Sequence, residues 1–268
     1  MVDSLKFLFW NIHNNPQNVE LIAKYAVSLG VDVICLCDMK DVTVSDCYGY
    51  TELKHIDINN DFAVFVGNGT TAFYTRERKR YCLFRIESGY NINVALVHLN
   101  SDLHSSGREH READIGALKR DLLIEEEKYE GKNTLVVGDF NDNPFSETLT
   151  GWNGFNTVYF KSSVEKGYRK LHEQQQDIFY NPMLHVLRDS DDEHIAKGTC
   201  FFKNRYDWDF YDQVLMKFPL VDKFDLEKLR IVSSFNDGNL VQQHRMNPKI
   251  SDHAPIYFEI LKRSINHG

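Results

Sequence analysis

Six short stretches of the chain set oxygen ligands or imidazoles against apolar runs that read as strands. FWNIH carries Asn11, ICLCD ends in Asp38 and LVHLNS contains His98. GDFNDNP contains Asp139 and Asn141, FYDQVL contains Asp212, and SDHAPI contains Asp252 and His253. In GDFNDNP, Asp139 and Asn141 alternate with Phe140. On an extended chain the two polar side chains share one face while Phe140 turns to the core. A carboxylate beside an amide can orient and deprotonate a water; an Asx-rich turn after a strand reads equally well. Asp252 and His253 are adjacent and point in different directions on an extended segment, so one can bind a metal while the other faces a phosphate. Histidine transfers a proton near neutral pH when a carboxylate fixes its tautomer. A single Asp-His pair in isolation reads as a turn.

The elements that must position these groups follow from periodicity. Leu5, Phe7 and Phe9 alternate with Lys6 and Leu8, which predicts a mostly buried strand ending at Trp10-Asn11. Asn15-Pro16 is a cap followed by proline at the first helical position. Val19, Ile22, Ala23, Ala26 and Val27 repeat at helical spacing, and Gly30 suits the stop. VDVICLCD is a second buried strand, so the chain opens β-α-β with parallel pairing expected. FAVFV, TAFYT, YCLFRI and NINVALVHL read as further strands, and RERKR (76–80) as a solvated hairpin loop. Residues 108–129 predict a helix with Ile115, Leu118, Leu122 and Leu123 on its apolar face, followed by the strand TLVVG. Residues 161–198 read as loops with short helices, and GTCFF, YDQVLMKF and APIYFEI as three strands. The candidate residues therefore sit where strands end, the place where layered β folds present functional loops.

Composition narrows the classes. With 268 residues, 42% hydrophobic, the chain can bury a substantial core, and one domain spanning 1–268 is expected. The net charge of −8 removes the electrostatic signature of wide, non-specific duplex binding. Cys35, Cys37, Cys47, Cys82 and Cys200 are irregularly spaced and read as reduced structural thiols, not as a zinc site or disulfide set. The opening MVDSLKFLFWNIH is not a secretory signal and no run is long enough to span a bilayer, so a cytoplasmic protein without membrane contact is expected. No protein partner is evident.

The ordered series Asn11, Asp38, His98, GDFN, YDQVL and SDHAPI resembles the endonuclease/exonuclease/phosphatase superfamily, and the match spans residues 7–258. The resemblance implies an α/β (α+β) fold, a four-layer β-sandwich with helices on its outer faces, DNase I-like, and a site at one end. It implies that Asn11, Asp38 and Asp252 serve a divalent cation, Mg²⁺ or Mn²⁺. Asp139 would orient or deprotonate water, with Asn141 holding the phosphate or that water. His253, oriented by Asp212, would act on the scissile phosphate, and His98 would donate to a non-bridging oxygen. Oxygen ligands without thiolates suit such hard cations.

The chain departs from the family at Asp38, where glutamate is usual, and at Cys37, where glutamine is common. Aspartate is one methylene shorter and still supplies an oxygen ligand. Three functions are carried forward. The first is a nuclease or phosphodiesterase acting on a phosphoester substrate such as DNA or RNA, served by Arg76, Arg78, Lys79 and Arg80 and by Lys161, Lys166, Arg169 and Lys170 if these flank the site. The second is a phosphatase or phosphodiesterase acting on a small molecule or lipid head group. The third is a non-catalytic binding module on a decayed site. His13, His55, His104, His110, His172 and His194 have no partner pattern and read as surface or loop histidines.

Overall fold

A computed structural model describes residues 3–40, 42, 53–56, 61–67, 69–87, 89, 91–101, 106–235 and 238–262. Cys47, His104 and the rest of residues 102–105 lie outside these residues. Two sheets stack face to face. The first contains β1 (Ser4–Asn11), β2 (Val33–Cys37), β3 (Leu53–Ile56) and β4 (Phe62–Gly67). The second contains β5 (Thr71–Glu77), β6 (Tyr81–Glu87), β7 (Asn91–His98), β8 (Thr134–Asp139), β9 (Thr157–Val158), β10 (Phe179–Tyr180) and β11 (Asp212–Met216). The chain returns to the first sheet with β12 (Phe224–Ile231) and β13 (Ile256–Leu261). The strand orders are β12-β13-β1-β2-β4-β3 and β5-β6-β7-β8-β11-β10-β9.

The period-2 pattern read from the sequence builds this sandwich. Leu5, Phe7 and Phe9 of β1 and Val33, Cys35 and Cys37 of β2 face inward, against Phe84, Val94, Leu96, Leu135 and Val137 of the second sheet. Leu8, Trp10, Ile34 and Leu36 face outward and are covered by α1 (Pro16–Leu29) through Val19, Ile22 and Ala26. On the other side, Ile115, Leu118 and Leu122 of α2 (Gly107–Lys128) cover Tyr81, Leu83, Ala95, Val97 and Val136. The result is the expected order of helix, sheet, sheet, helix. The caps of α1 are as predicted: Asn15 accepts the Gln17 N–H, and Gly30 closes the helix at φ 62°.

Three details differ from the sequence reading. Leu123 is exposed, and Asp121, Glu125 and Glu126 are buried on α2 in its place. Their burial is offset by partners: Asp121 accepts from Arg76 (2.5 Å), Arg78 (3.2 Å) and the Tyr81 hydroxyl (2.8 Å), and Glu126 pairs with Lys217 at 2.9 Å. RERKR forms the predicted exposed hairpin turn between β5 and β6, except that Arg76 lies in β5 and both Arg76 and Arg78 reach across to Asp121 of α2. Residues 161–198 include an unforeseen hairpin, Tyr168–Leu171 with Gln174–Asp177, which absorbs the glutamine run.

Register then gathers the chemistry. β1 and β2 are parallel with Asn11 opposite Cys37, so Asn11 and Asp38 emerge together. β7 and β8 are parallel with His98 opposite Asp139. β11 is antiparallel to β8 and starts at that end, with Asp212 opposite Asp139. β4 and β13 run antiparallel to β2 and β1, so the residues just before them, Asp61 and the 251–253 stretch, arrive at the same edge. The site stands across the ends of both sheets.

Candidate active site

Asp139 is the hub. It is buried, its Oδ1 accepts the Asn141 main-chain N–H at 2.8 Å, and its Oδ2 accepts the Asn11 side-chain amide at 2.9 Å. Two imidazoles approach the same Oδ2: His98 Nε2 at 3.8 Å and His253 Nε2 at 3.9 Å. Behind each imidazole stands a buried carboxylate. His253 Nδ1 lies 2.7 Å from Asp212 Oδ2, and His98 Nδ1 lies 3.3 Å from Asp61 Oδ2. The carboxylates direct Nδ1 as the donor, which leaves each Nε2 aimed at Asp139.

The electrostatics follow from burial and these pairs. Burial works against a charged His253, but Asp212 and the nearby Asp139 outweigh it and hold the imidazole protonated well above its ordinary range. Burial pushes Asp212 up to about 6, with His253 pulling in the opposite direction. His98 shows the same contest: burial lowers it, and the Asp61 contact and Asp139 raise it overall. Asp61 ends below its usual value because His98 overcomes its burial. At both positions facing Asp139 the surrounding carboxylates favour the imidazolium form.

Main-chain geometry fixes the supports. Gly138 precedes Asp139 where β8 runs against β7, and a Cβ there would stand 2.1 Å from the Val97 carbonyl oxygen. Only glycine fits that approach. Asn141 lies in the left-handed region at φ 51°, and its amide donates to the Leu99 carbonyl at 3.0 Å. Asp38 is also left-handed, at φ 59°; it accepts from the Asn14 amide at 3.2 Å and has Lys40 at 3.7 Å. The loop after Asp139 is braced by Arg111, which is buried and donates to the Asn100 carbonyl (2.8 Å) and to Asp142 (3.2 Å).

All eight predicted residues lie at this one end. Asp38 groups with Asp61 and His98, and Asp139 with Asp212 and His253. Asp252 groups with His253 and Cys200, and Asn11 joins through Asp139. Five contributors escaped the sequence reading. Asp61 stands alone before FAVFV, and only the β2–β4 register brings it to His98. His13, read as a surface histidine, pairs with Asp252 at 3.3 Å. Thr199 Oγ1 accepts the Asp212 main-chain N–H at 2.9 Å, and Ser251 Oγ accepts that of His253 at 3.0 Å. The Trp10 indole N–H donates to the His253 carbonyl at 2.8 Å. Ser251 was visible in SDHAPI as a hydroxyl two residues before the histidine; the other four carried no local signal.

The donor set fits a hard divalent cation. The carboxylates fall in three clusters, Asp38 with Asp61, Asp139 with Asp212, and Asp252 beside His253, so Asp38 and Asp252 are not brought into one group, while burial pushes the Cys200 thiol up to about 11, so it offers no thiolate at neutral pH. Burial likewise raises Cys35, Cys37 and Cys82, in keeping with inert core thiols.

The family profile described as Endonuclease/Exonuclease/phosphatase family matches residues 8–212, and the chain belongs to that family, whose members are metal-dependent phosphoesterases. No curated protein sequence matches the chain. Among solved structures, it is similar to the endonuclease domain of TRAS1, a telomere-specific non-LTR retrotransposon, at TM-score 0.59 and 14% identity, covering 97% of this chain and 100% of that one. The human Nocturnin catalytic domain with bound sulfate gives TM-score 0.58 and 15% identity over 97% and 94% of the two chains. The 3′ phosphatase NExo from Neisseria, bound to a product DNA hairpin, gives 0.59 and 13% over 96% and 99%. These likenesses establish the DNase I-like sandwich. Among the described residues no helix is long and apolar enough to cross a membrane.

Proposed function

We propose that the protein hydrolyses phosphoester bonds with a divalent cation, Mg²⁺ or Mn²⁺, and that its substrate is a phosphodiester of the nucleotide class. The observation that carries this reading is the pair of carboxylate-backed imidazoles aimed at Asp139. Asn11, Asp38 and Asp252 would hold the cation, which when bound counters phosphate charge and lowers the pKa of water. Asp139 accepts a proton from the attacking water and aligns it, and Asn141 beside it holds the phosphate or the water. His98 and His253 donate from Nε2 to phosphate oxygens, where negative charge grows in the transition state. Asp61 and Asp212 favour the protonated form of the two imidazoles and hold each Nδ1 turned inward.

The phosphodiester reading gains nothing from Arg76 and Arg78, which are spent on Asp121, and Lys161 donates to the Phe224 carbonyl. Among the described residues, cations at the site edge include Lys40 beside Asp38 and Arg80 within electrostatic reach of Asp61, and Lys203 and Arg245 line the cavity that reaches Asp252. A net charge of −8 suits a short or small substrate better than a long duplex.

The test is a panel of single- and double-stranded DNA, RNA, bis(p-nitrophenyl) phosphate and inositol phosphates, with Mg²⁺ or Mn²⁺ and with EDTA. Metal-dependent cleavage of a diester, lost in His253→Ala and Asp139→Asn, is expected. Cleavage of phosphomonoesters alone would replace this reading with a phosphatase. No turnover together with no calorimetric metal binding would mean that Asp38 marks a decayed site.

A further inference from the structure

Next to the site, on the side of His13 and Asp252, lies a cavity of about 650 Å³. That volume falls within the range of small-molecule sites. Its walls are two hairpins, Cys200–Phe202 with Asp207–Asp209, and Val241–Gln242 with Arg245–Met246. The first carries Phe201, Phe202, Lys203 and Tyr206, and the second carries Gln242, Gln243, Met246 and Arg245, whose guanidinium donates to Gln243 Oε1 at 3.2 Å. The hairpins are fastened together, because the Trp208 indole N–H donates to the His244 carbonyl at 2.9 Å. Phe201 forms edge contacts with Tyr206 at 5.6 Å and Trp208 at 5.4 Å, so the aromatic wall is braced from behind. Tyr206 itself is 66% exposed.

The cavity is also fastened to the chemistry. The Phe201 N–H donates to the Asp252 carbonyl at 2.9 Å, and Cys200 bridges His253. Asp252 Oδ1 lies 3.9 Å from His253 Nε2. The wall of the cavity at Asp252 is thus one residue from His253.

We infer that the cavity is a nucleobase subsite: it receives the base attached to the reacting phosphate, stacks it on Tyr206 and Phe202, and reads its edge with the glutamine amides. Flat aromatic ligands stack on such rings, and amides offer both donors and acceptors to a base edge. A lipid tail would leave the glutamine amides unmatched, and an inositol ring would waste the aromatic wall. The inference deepens the phosphodiester reading above and rests on it for the placement of the phosphate, while the pocket itself can be tested by binding alone.

The experiment is calorimetric titration of the Asp139→Asn chain, in Mg²⁺, with nucleoside 5′- and 3′-monophosphates, a tetranucleotide and ribose 5-phosphate. At least one nucleotide is expected to bind roughly tenfold or more tighter than ribose 5-phosphate, the scale of one stacked base. Tyr206→Ala should erase that preference and Tyr206→Phe should retain it. Tighter binding of the tetranucleotide than of the monophosphates would assign the pocket to a strand end, and the reverse order to a free nucleotide. Equal affinity for ribose 5-phosphate and every nucleotide, or a preference indifferent to Tyr206→Ala, overturns the subsite. Turnover of bis(p-nitrophenyl) phosphate by the wild-type chain is scored separately. Base preference without turnover removes the hydrolase reading and keeps the pocket; turnover without base preference does the opposite.

Discussion

Asp61 Oδ2 and His98 Nδ1 stand 3.3 Å apart, so the imidazole of β7 is held from behind by an acid that enters from the other sheet. This pair repeats the relationship of Asp212 to His253, and both imidazoles turn Nε2 to the same carboxylate oxygen. If the two pairs act as equivalent donors, their removal should have comparable consequences. Asp61→Asn is expected to lower kcat roughly ten- to a hundredfold, the usual cost of removing a group that orients a functional imidazole. Steady-state kinetics decide this, and an Asp61→Asn chain with unchanged kcat would remove His98 from the reaction.

His253→Ala should cost more, roughly 10²- to 10⁴-fold in kcat, because it removes the donor itself. Asp212→Asn combined with His253→Ala should add little to His253→Ala alone, since the acid acts only through the imidazole. A fully multiplicative double variant would show that Asp212 has a separate role.

Gly138→Ala tests the close approach of β7 and β8. The added methyl meets the Val97 main chain, which belongs to a buried parallel pair and has little room to give. A loss of about 3 kcal/mol or more in urea unfolding is expected. The surviving folded fraction should show reduced turnover as well, because Asp139 is the next residue.

Arg111→Ala should destabilise the chain by about 3–5 kcal/mol, the range for stripping one partner from a buried ion pair. The variant leaves Asp142 unpaired and takes a donor from the Asn100 carbonyl. Chemical denaturation reads the loss, and Arg111→Lys should recover only part of it because lysine lacks the forked geometry.

Lys119 gives a pH signature remote from the site. Burial lowers its pKa to about 8 from the 10.5 of an exposed lysine, while its amine donates to the Gly154 carbonyl and to Gln176. The unfolded chain therefore holds a proton that the folded chain has released between those values. By linkage, stability is reduced by the full penalty below pH 8 and rises with pH above it. After allowance for the lysine's partial exposure the rise is about 1–2 kcal/mol. Denaturation midpoints between pH 8 and 9.5 should climb in the wild type and stay level in Lys119→Gln.

Much of this arrangement was legible in the sequence because strands announce themselves by period. Leu5, Phe7 and Phe9 predicted the inner face of β1, and the six polar stretches at strand ends named eight residues that the fold brings to one edge. What stayed hidden depended on partners distant in the chain. Asp61 has no local pattern, and its meaning appears only when β4 is laid against β2. Leu123 was expected on the apolar face and is exposed; Asp121 is buried by three donors from β5, β6 and their turn, and no helical periodicity encodes such donors. The Tyr168–Asp177 hairpin is almost wholly polar, so neither period marked it.

Three contacts at the site, Asn11 with Asp139, Asp61 with His98 and Asp212 with His253, each join a residue of one sheet to a residue of the other. The proposed site is thus a clasp: each imidazole takes the carboxylate behind its Nδ1 from the opposite leaf. Any slippage of one leaf over the other dismantles all three contacts together, so turnover doubles as a gauge of whether the two halves of the molecule are correctly seated.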